Sequence, residues 1–219
     1  MSLSMLFREP VNSITHLLGI LFAIIGTILL ILHSISPEKP IHIVTFAIFG
    51  SGLLLLYSAS TLYHGLRVSE KWISRFNKID HVMIFILIAA TYTPICLVVL
   101  KGAWGWGIFG SVWGIAVIGS IKKLFWFSGK KWISTSIYLL MGWLIIIAIW
   151  PLIQILAIGG LIWLATGGIL YSLGAVIYGF ERPNPFPGNF GFHEIFHLFI
   201  LGGSVSHYIL MYLYVVSFE

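Results

Sequence analysis

Charge is what this sequence has least of: Asp, Glu, Lys and Arg make up only 9% of its 219 residues, against roughly a quarter in an ordinary soluble domain. That deficit excludes a water-facing surface over most of the chain. Cysteine is scarcer still. The single Cys96 rules out an intrachain disulfide and sits in an apolar run, where an unreactive thiol is expected. There is no internal repeat and no low-complexity tract, so neither a solenoid nor a flexible linker between modules is expected.

What the chain has instead is apolar length. Hydrophobic residues make up 59% and the mean hydropathy is +1.02. Stretches of about 20 apolar residues recur along it, each long enough to cross the hydrocarbon layer. Read against their polar, Pro and Gly breaks, they predict helices at about 13–34, 41–66, 80–100, 104–121, 132–150, 153–180 and 193–217. The first is read as a span rather than a signal peptide, because Glu9, Asn12 and His16 lie at its mouth and it is too long for a signal core. Between the fifth and sixth, a turn is placed at Pro151 and Leu152. An unbroken helix over 132–180 would be ~70 Å long, too long for one bilayer. The expected fold is an all-α membrane protein, one domain over 1–219 with seven transmembrane helices.

Alternating sides from the N-terminus gathers Arg8, Arg67, Lys71, Arg75, Lys78, Lys122, Lys123, Lys130, Lys131 and Arg182 on one side and leaves Lys39 and Lys101 on the other. By the positive-inside rule the N-terminus is expected in the cytoplasm and the C-terminus outside. The net charge of +5 then reflects topology and contact with anionic lipid. Membrane lipids are the expected partners and nucleic acid is not; a homo-oligomer is compatible with the sequence.

Polar and ionisable groups inside a span are costly and need a partner, a cavity or a function. Here they gather at the cytoplasmic ends: Glu9, Asn12 and His16 on helix one, Ser60 and His64 on helix two, Asp80 and His81 at the start of helix three, His193, Glu194 and His197 on helix seven. His193 and His197, four apart on a helix, project from one face at a spacing a tetrahedral cation can bridge. His64 at the same depth is the natural third ligand, leaving a fourth position for water. Asp80 could orient that water and accept its proton. Ser60, one turn before His64, could donate to the water or to a developing oxyanion.

Plainer roles compete with these. The histidines could be interfacial side chains reaching toward water, and Ser60 could bond back to its own helix. Glu9, Asn12 and His16 share a helix face and could line the same cavity, or simply cap and anchor helix one. The string His193-Glu194-Ile195-Phe196-His197 also fits H-E-x-x-H, but the match is short, and an acidic residue in a first helical turn is favoured by the helix dipole anyway. His33 and His42 fall at the outer interface, His207 lies ~21 Å along helix seven from His193, and His81 points away from Asp80.

Four segments occur in a recognisable order: Glu9-Pro-Val-Asn12-Ser-Ile-Thr-His16, Ser60-Thr-Leu-Tyr-His64, Lys78-Ile-Asp80-His81 and His193-Glu-Ile-Phe-His197. Together they resemble hemolysin III, within the progestin and adipoQ receptor family, over nearly the whole chain. The resemblance implies seven spans with a cytoplasmic N-terminus, zinc on His64, His193 and His197, and a site completed by Asp80 and Ser60. Relatives of that wider group are associated with ceramide hydrolysis, which implies a zinc-dependent hydrolase of a lipid amide or ester. Adiponectin receptors carry glutamine where Glu194 stands, which argues against Glu194 as an essential base. The hemolysin name implies an alternative, a pore-forming cytolysin, and a lipid sensor with a structural zinc is another. A bacterial cytoplasmic membrane is the expected location. Polar groups concentrated at one end favour a closed-ended site over a conduit.

Overall fold

The computed structural model describes residues 6–126, 131–188 and 190–219. Among these are seven helices long and apolar enough to cross a membrane. They are α1 (Pro10–Ile35), α2 (Pro40–Gly65), α3 (Glu70–Leu100), α4 (Gly102–Phe125), α5 (Lys131–Ile155), α6 (Ile158–Phe180) and α7 (Phe192–Val215). The chain is an all-α, multi-pass integral membrane protein. Its only described β contact is one bridge between Phe186 and Phe190 before α7.

Sequence chemistry explains where these helices start and bend. Pro10 and Pro40 occupy the first turns of α1 and α2, where a missing N–H costs nothing. Pro94 lies inside α3 and offers no N–H to the turn before it; the helix continues through Ile95–Leu100 as a π turn, a common accommodation of such a break. At the far end of that turn, Lys101 and Gly102 both take positive φ, 50° each, to swing the chain into α4.

Two boundaries depart from the expectation. Helix α3 begins at Glu70, ten residues before the predicted start at 80, because its first three turns carry Glu70, Lys71, Arg75 and Lys78, which an apolar window cannot see. Asp80 and His81 therefore stand about 15 Å inside the helix rather than at its entrance. The turn between the fifth and sixth spans falls at Leu156 and Ala157, not at Pro151 and Leu152. Helix α5 tightens to a 3₁₀ segment over Leu144–Ala148 and resumes as an α-helix at Ile149. Pro151 sits in the first turn of that resumed segment, where its lost N–H is tolerated.

Neighbours in sequence pack against one another, and α1 closes against α7. Helix α3 is the centre of the bundle, with 78% of its apolar window buried, whereas α5 and α6 stand outermost with 17% each. Large apolar side chains such as Leu18, Ile25, Ile118 and Leu140 cover the outside, which is stable only against lipid. Two glycines set close approaches. A Cβ on Gly50 would lie 1.9 Å from Thr27 Oγ1, and one on Gly105 would lie 2.1 Å from the Cys96 carbonyl oxygen.

Candidate metal centre

The centre is built where three chain segments meet. Helix α2 delivers Ser60 and then His64 in its last turn, α7 opens with His193 and reaches His197 one turn later, and the stretch before α1 folds across both. Its backbone is fixed to the end of α2, with Glu9 N–H donating to the His64 carbonyl at 2.9 Å and Arg8 N–H to the Gly65 carbonyl at 3.2 Å. The Arg8 guanidinium also donates to the Tyr63 carbonyl at 2.7 Å.

His64, His193 and His197 each present a ring nitrogen within 4.8 Å of the other two. His64 and His197 are both 1% exposed. His64 Nδ1 lies 2.5 Å from Glu9 Oε2, so the imidazole donates from Nδ1 and turns the lone pair of Nε2 inward. That Nε2 and the Nδ1 of His197 are buried with no hydrogen-bond partner. Buried imidazole nitrogens without partners are costly, and two of them converging with a third histidine make a donor set that fits a tetrahedral cation.

A carboxylate and amide network supports the ring positions. Asn12 Nδ2 donates to Glu194 Oε1 at 2.8 Å and to Glu9 Oε2 at 3.2 Å. The other oxygen of Glu194 accepts the Gly191 N–H at 2.8 Å, capping α7. Glu194 thus ties α1 to α7 and holds its own helix start. Burial alone would raise the Glu9 carboxyl, but the hydrogen bond from His64, with Arg8 and Asn12, holds it down to about 2. Glu9 is therefore a carboxylate at neutral pH. His16 stacks on His197 with ring centres 3.7 Å apart and planes 8° from parallel, and its edge meets Tyr57 at 5.1 Å.

Asp80 lies close to both Ser60 and His64. Asp80 and Ser60 line a cavity of about 760 Å³ that also reaches His193 and His197. From this polar end the cavity runs between α3, α5, α6 and α7 past Leu87, Ile95, Ile149 and Leu164. His81 also lines this cavity, whereas His33 lies elsewhere. His81 Nδ1 bonds the Asn77 carbonyl of its own helix at 2.8 Å. At the opposite end of the bundle, His33 bonds the Leu29 carbonyl at 3.1 Å and Lys39 donates to the carbonyls of Val216 and Phe218 at 3.0 and 2.8 Å.

Sequence reasoning missed the tie from Asn12 to Glu194, which joins residues 182 apart in the chain. It also missed the aromatic wall of Tyr178 and Tyr63, whose rings stand 5.6 Å from His193 and 4.5 Å from His64. No local spacing signals the Asn12–Glu194 tie or the approach of Tyr178 to His193.

Residues 5–208 match the family described as Haemolysin-III related. The chain is 39% identical over 209 residues to the Hemolysin-3 of Bacillus cereus, covering 95% of this chain and 92% of that one. It is 40% identical over 210 residues to the Hemolysin-3 homolog of Bacillus subtilis (strain 168), covering 96% and 95%. A more distant relative, the human Monocyte to macrophage differentiation factor, is 28% identical over 218 residues, covering 95% of this chain and 84% of its own.

Proposed function

The chain belongs to the Haemolysin-III related family, and from that membership we propose that it is a zinc-dependent hydrolase of a membrane lipid amide or ester, ceramide-like in chemistry. The observation that carries the reading is a histidine triad whose members His193 and His197 line, with Ser60 and Asp80, the polar head of a long and mainly apolar cavity. A lipid has that same shape, with one polar, cleavable group at the end of an apolar chain. His64, His193 and His197 would hold the zinc, and a cation there supplies Lewis acidity and a lowered water pKa. Glu9 orients His64 through Nδ1, while Asn12 and His16 brace Glu9 and His197. Asp80 would take a proton from water at the cavity head, and Ser60 beside it would give its one O–H to a developing oxyanion.

The relatives' hemolysin name brings a lytic reading with it. A conduit would need polar groups along its length, whereas below the head this cavity is lined mainly by Leu and Ile. The hydrolase reading is therefore preferred, in a bacterial cytoplasmic membrane with the histidines at the cytoplasmic end.

Purified protein should carry about one zinc per chain by elemental analysis, with occupancy lost in His64→Ala, His193→Ala and His197→Ala. Zinc-loaded protein should release fatty acid from a short-chain ceramide or another lipid amide or ester. Full occupancy in all three variants would overturn the ligand set. Zinc-loaded protein inert on the whole lipid panel would overturn the hydrolase.

A further inference from the structure

Deeper in the cavity lies a second polar cluster that the proposed chemistry does not use. Tyr57, Tyr171, Ser204 and His207 meet where α2, α6 and α7 approach one another. Tyr57 donates to Ser204 Oγ at 2.7 Å, and Tyr171 Oη shares a hydrogen bond with the same Oγ at 2.9 Å. The His207 ring lies 5.4 Å from that of Tyr171. His207 stands about 15 Å along α7 from His197, and only about 40° around the axis from His193, so it faces the same cavity well beyond the metal centre.

The niche is shaped by two glycines. A Cβ on Gly167 would come within 2.5 Å of His207 Nε2, and one on Gly203 within 2.4 Å of the Tyr171 ring. Each aromatic side chain thus lies in space that any larger residue would fill. Gly167 serves this imidazole rather than close contact between helix backbones.

The cluster has hydrogen-bonding capacity left over. Its three hydroxyls carry three protons but share only two hydrogen bonds, so one O–H, of Tyr171 or of Ser204, remains to donate, and Tyr171 Oη keeps a lone pair to accept in either case. His207 is 6% exposed, and its Nδ1 is buried without a partner. Of the four residues, Tyr171 and His207 line the cavity itself. Other polar groups of that wall are already engaged: Thr91 bonds the Leu87 carbonyl at 2.8 Å, Tyr92 the Gly142 carbonyl at 2.6 Å and Ser172 the Gly168 carbonyl at 2.7 Å. A purely hydrocarbon chain would leave the spare groups of Tyr171 and His207 unsatisfied at its side.

We propose that Tyr171 and His207 form a second polar subsite that holds an oxygen function, a hydroxyl or keto group, carried part-way along the acyl chain whose head group lies at the histidines. A hydroxyl suits both partners, since it can accept from one and donate to the other. The inference rests on the reading of the cavity as a lipid site, and it narrows the substrate class to lipids with an oxygenated chain.

Direct binding tests it without turnover. Stearic acid and its mid-chain hydroxylated derivatives are competed against a fluorescent fatty acid on the full-length protein in detergent. At least one hydroxylated isomer should bind about tenfold more tightly than stearic acid, the effect of one or two net hydrogen bonds. In His207→Leu that preference should fall to about one. Tyr171→Phe, which keeps the ring in its niche and removes only the hydroxyl, should lower it severalfold and serves as the measure if the histidine variant does not fold. Equal binding of stearic acid and every isomer, or a preference that survives both substitutions, would overturn the subsite while leaving the lipid cavity standing. Failure of all the acids to bind would overturn both.

Discussion

A histidine has two ring nitrogens, and at His64 the assignment of each can be read from its neighbours. Nδ1 faces the Glu9 carboxylate at 2.5 Å, so Nε2 is left free to act as a metal ligand. Glu9→Gln keeps the size of the side chain but removes the negative charge that makes the imidazole a stronger donor. It should weaken zinc affinity about 10–100-fold, measured by competition with a chromophoric chelator; an unchanged affinity would mean that Glu9 only anchors the chain end. Asp80 should separate from the ligands in the opposite way. Asp80→Asn should retain zinc but lose ~10²–10⁴ in hydrolysis rate, because an amide can hold water yet cannot accept its proton. Equal rates in the variant and the wild type would remove Asp80 from the chemistry. The triad was legible at this scale because i and i+4 spacing puts His193 and His197 on one helix face. Glu9 and Asn12 were legible only as cavity candidates, since their engagement with His64 and Glu194 depends on how α1 crosses the ends of α2 and α7.

Apolar runs reveal where helices lie in a membrane and are poor guides to where they end. Helix α3 extends ten residues beyond its apolar window because Lys71, Arg75 and Lys78 stay helical while reaching toward the polar interface. Pro151 suggested a turn, yet a proline after a 3₁₀ segment can sit in the first turn of a renewed α-helix. Glycines hide their roles in the same way, since sequence does not distinguish those against backbone from those facing lipid. Gly105→Ala would drive a methyl into the Cys96 carbonyl where the π turn of α3 meets α4. It should cost about 1–3 kcal/mol, read as a lowered unfolding midpoint in detergent. Gly110→Ala and Gly114→Ala, on the same helix with nothing within 4 Å of the added atom, should leave that midpoint unchanged or slightly raised. A similar loss in all three would show that the Cys96 contact is not what makes Gly105 costly to replace.

At the scale of the whole molecule, the two ends of the bundle differ in their charges. Arg8 and Arg67 bond backbone around the histidine end, and Lys131 pairs with Glu181 at 2.8 Å between the neighbouring ends of α5 and α6. Lys130, counted with this group from the sequence, lies outside the described residues. Lys39 and Lys101 stand at the opposite end, where they donate to the carbonyls of Val216, Phe218 and Glu219. Both lysines bind the C-terminal segment. The positive-inside rule then favours the histidine end in the cytoplasm. A reporter fused after Glu219 should read as extracytoplasmic, and one placed between α2 and α3, after Arg67, as cytoplasmic. Inserting two lysines beside Gly102 should weaken this orientation, because the bias acts through short loops next to span ends. If the Glu219 fusion reads as cytoplasmic while the seven spans are retained, the molecule is inverted. The histidines would then open toward the outer leaflet, and the proposed lipid substrate would have to be sought there.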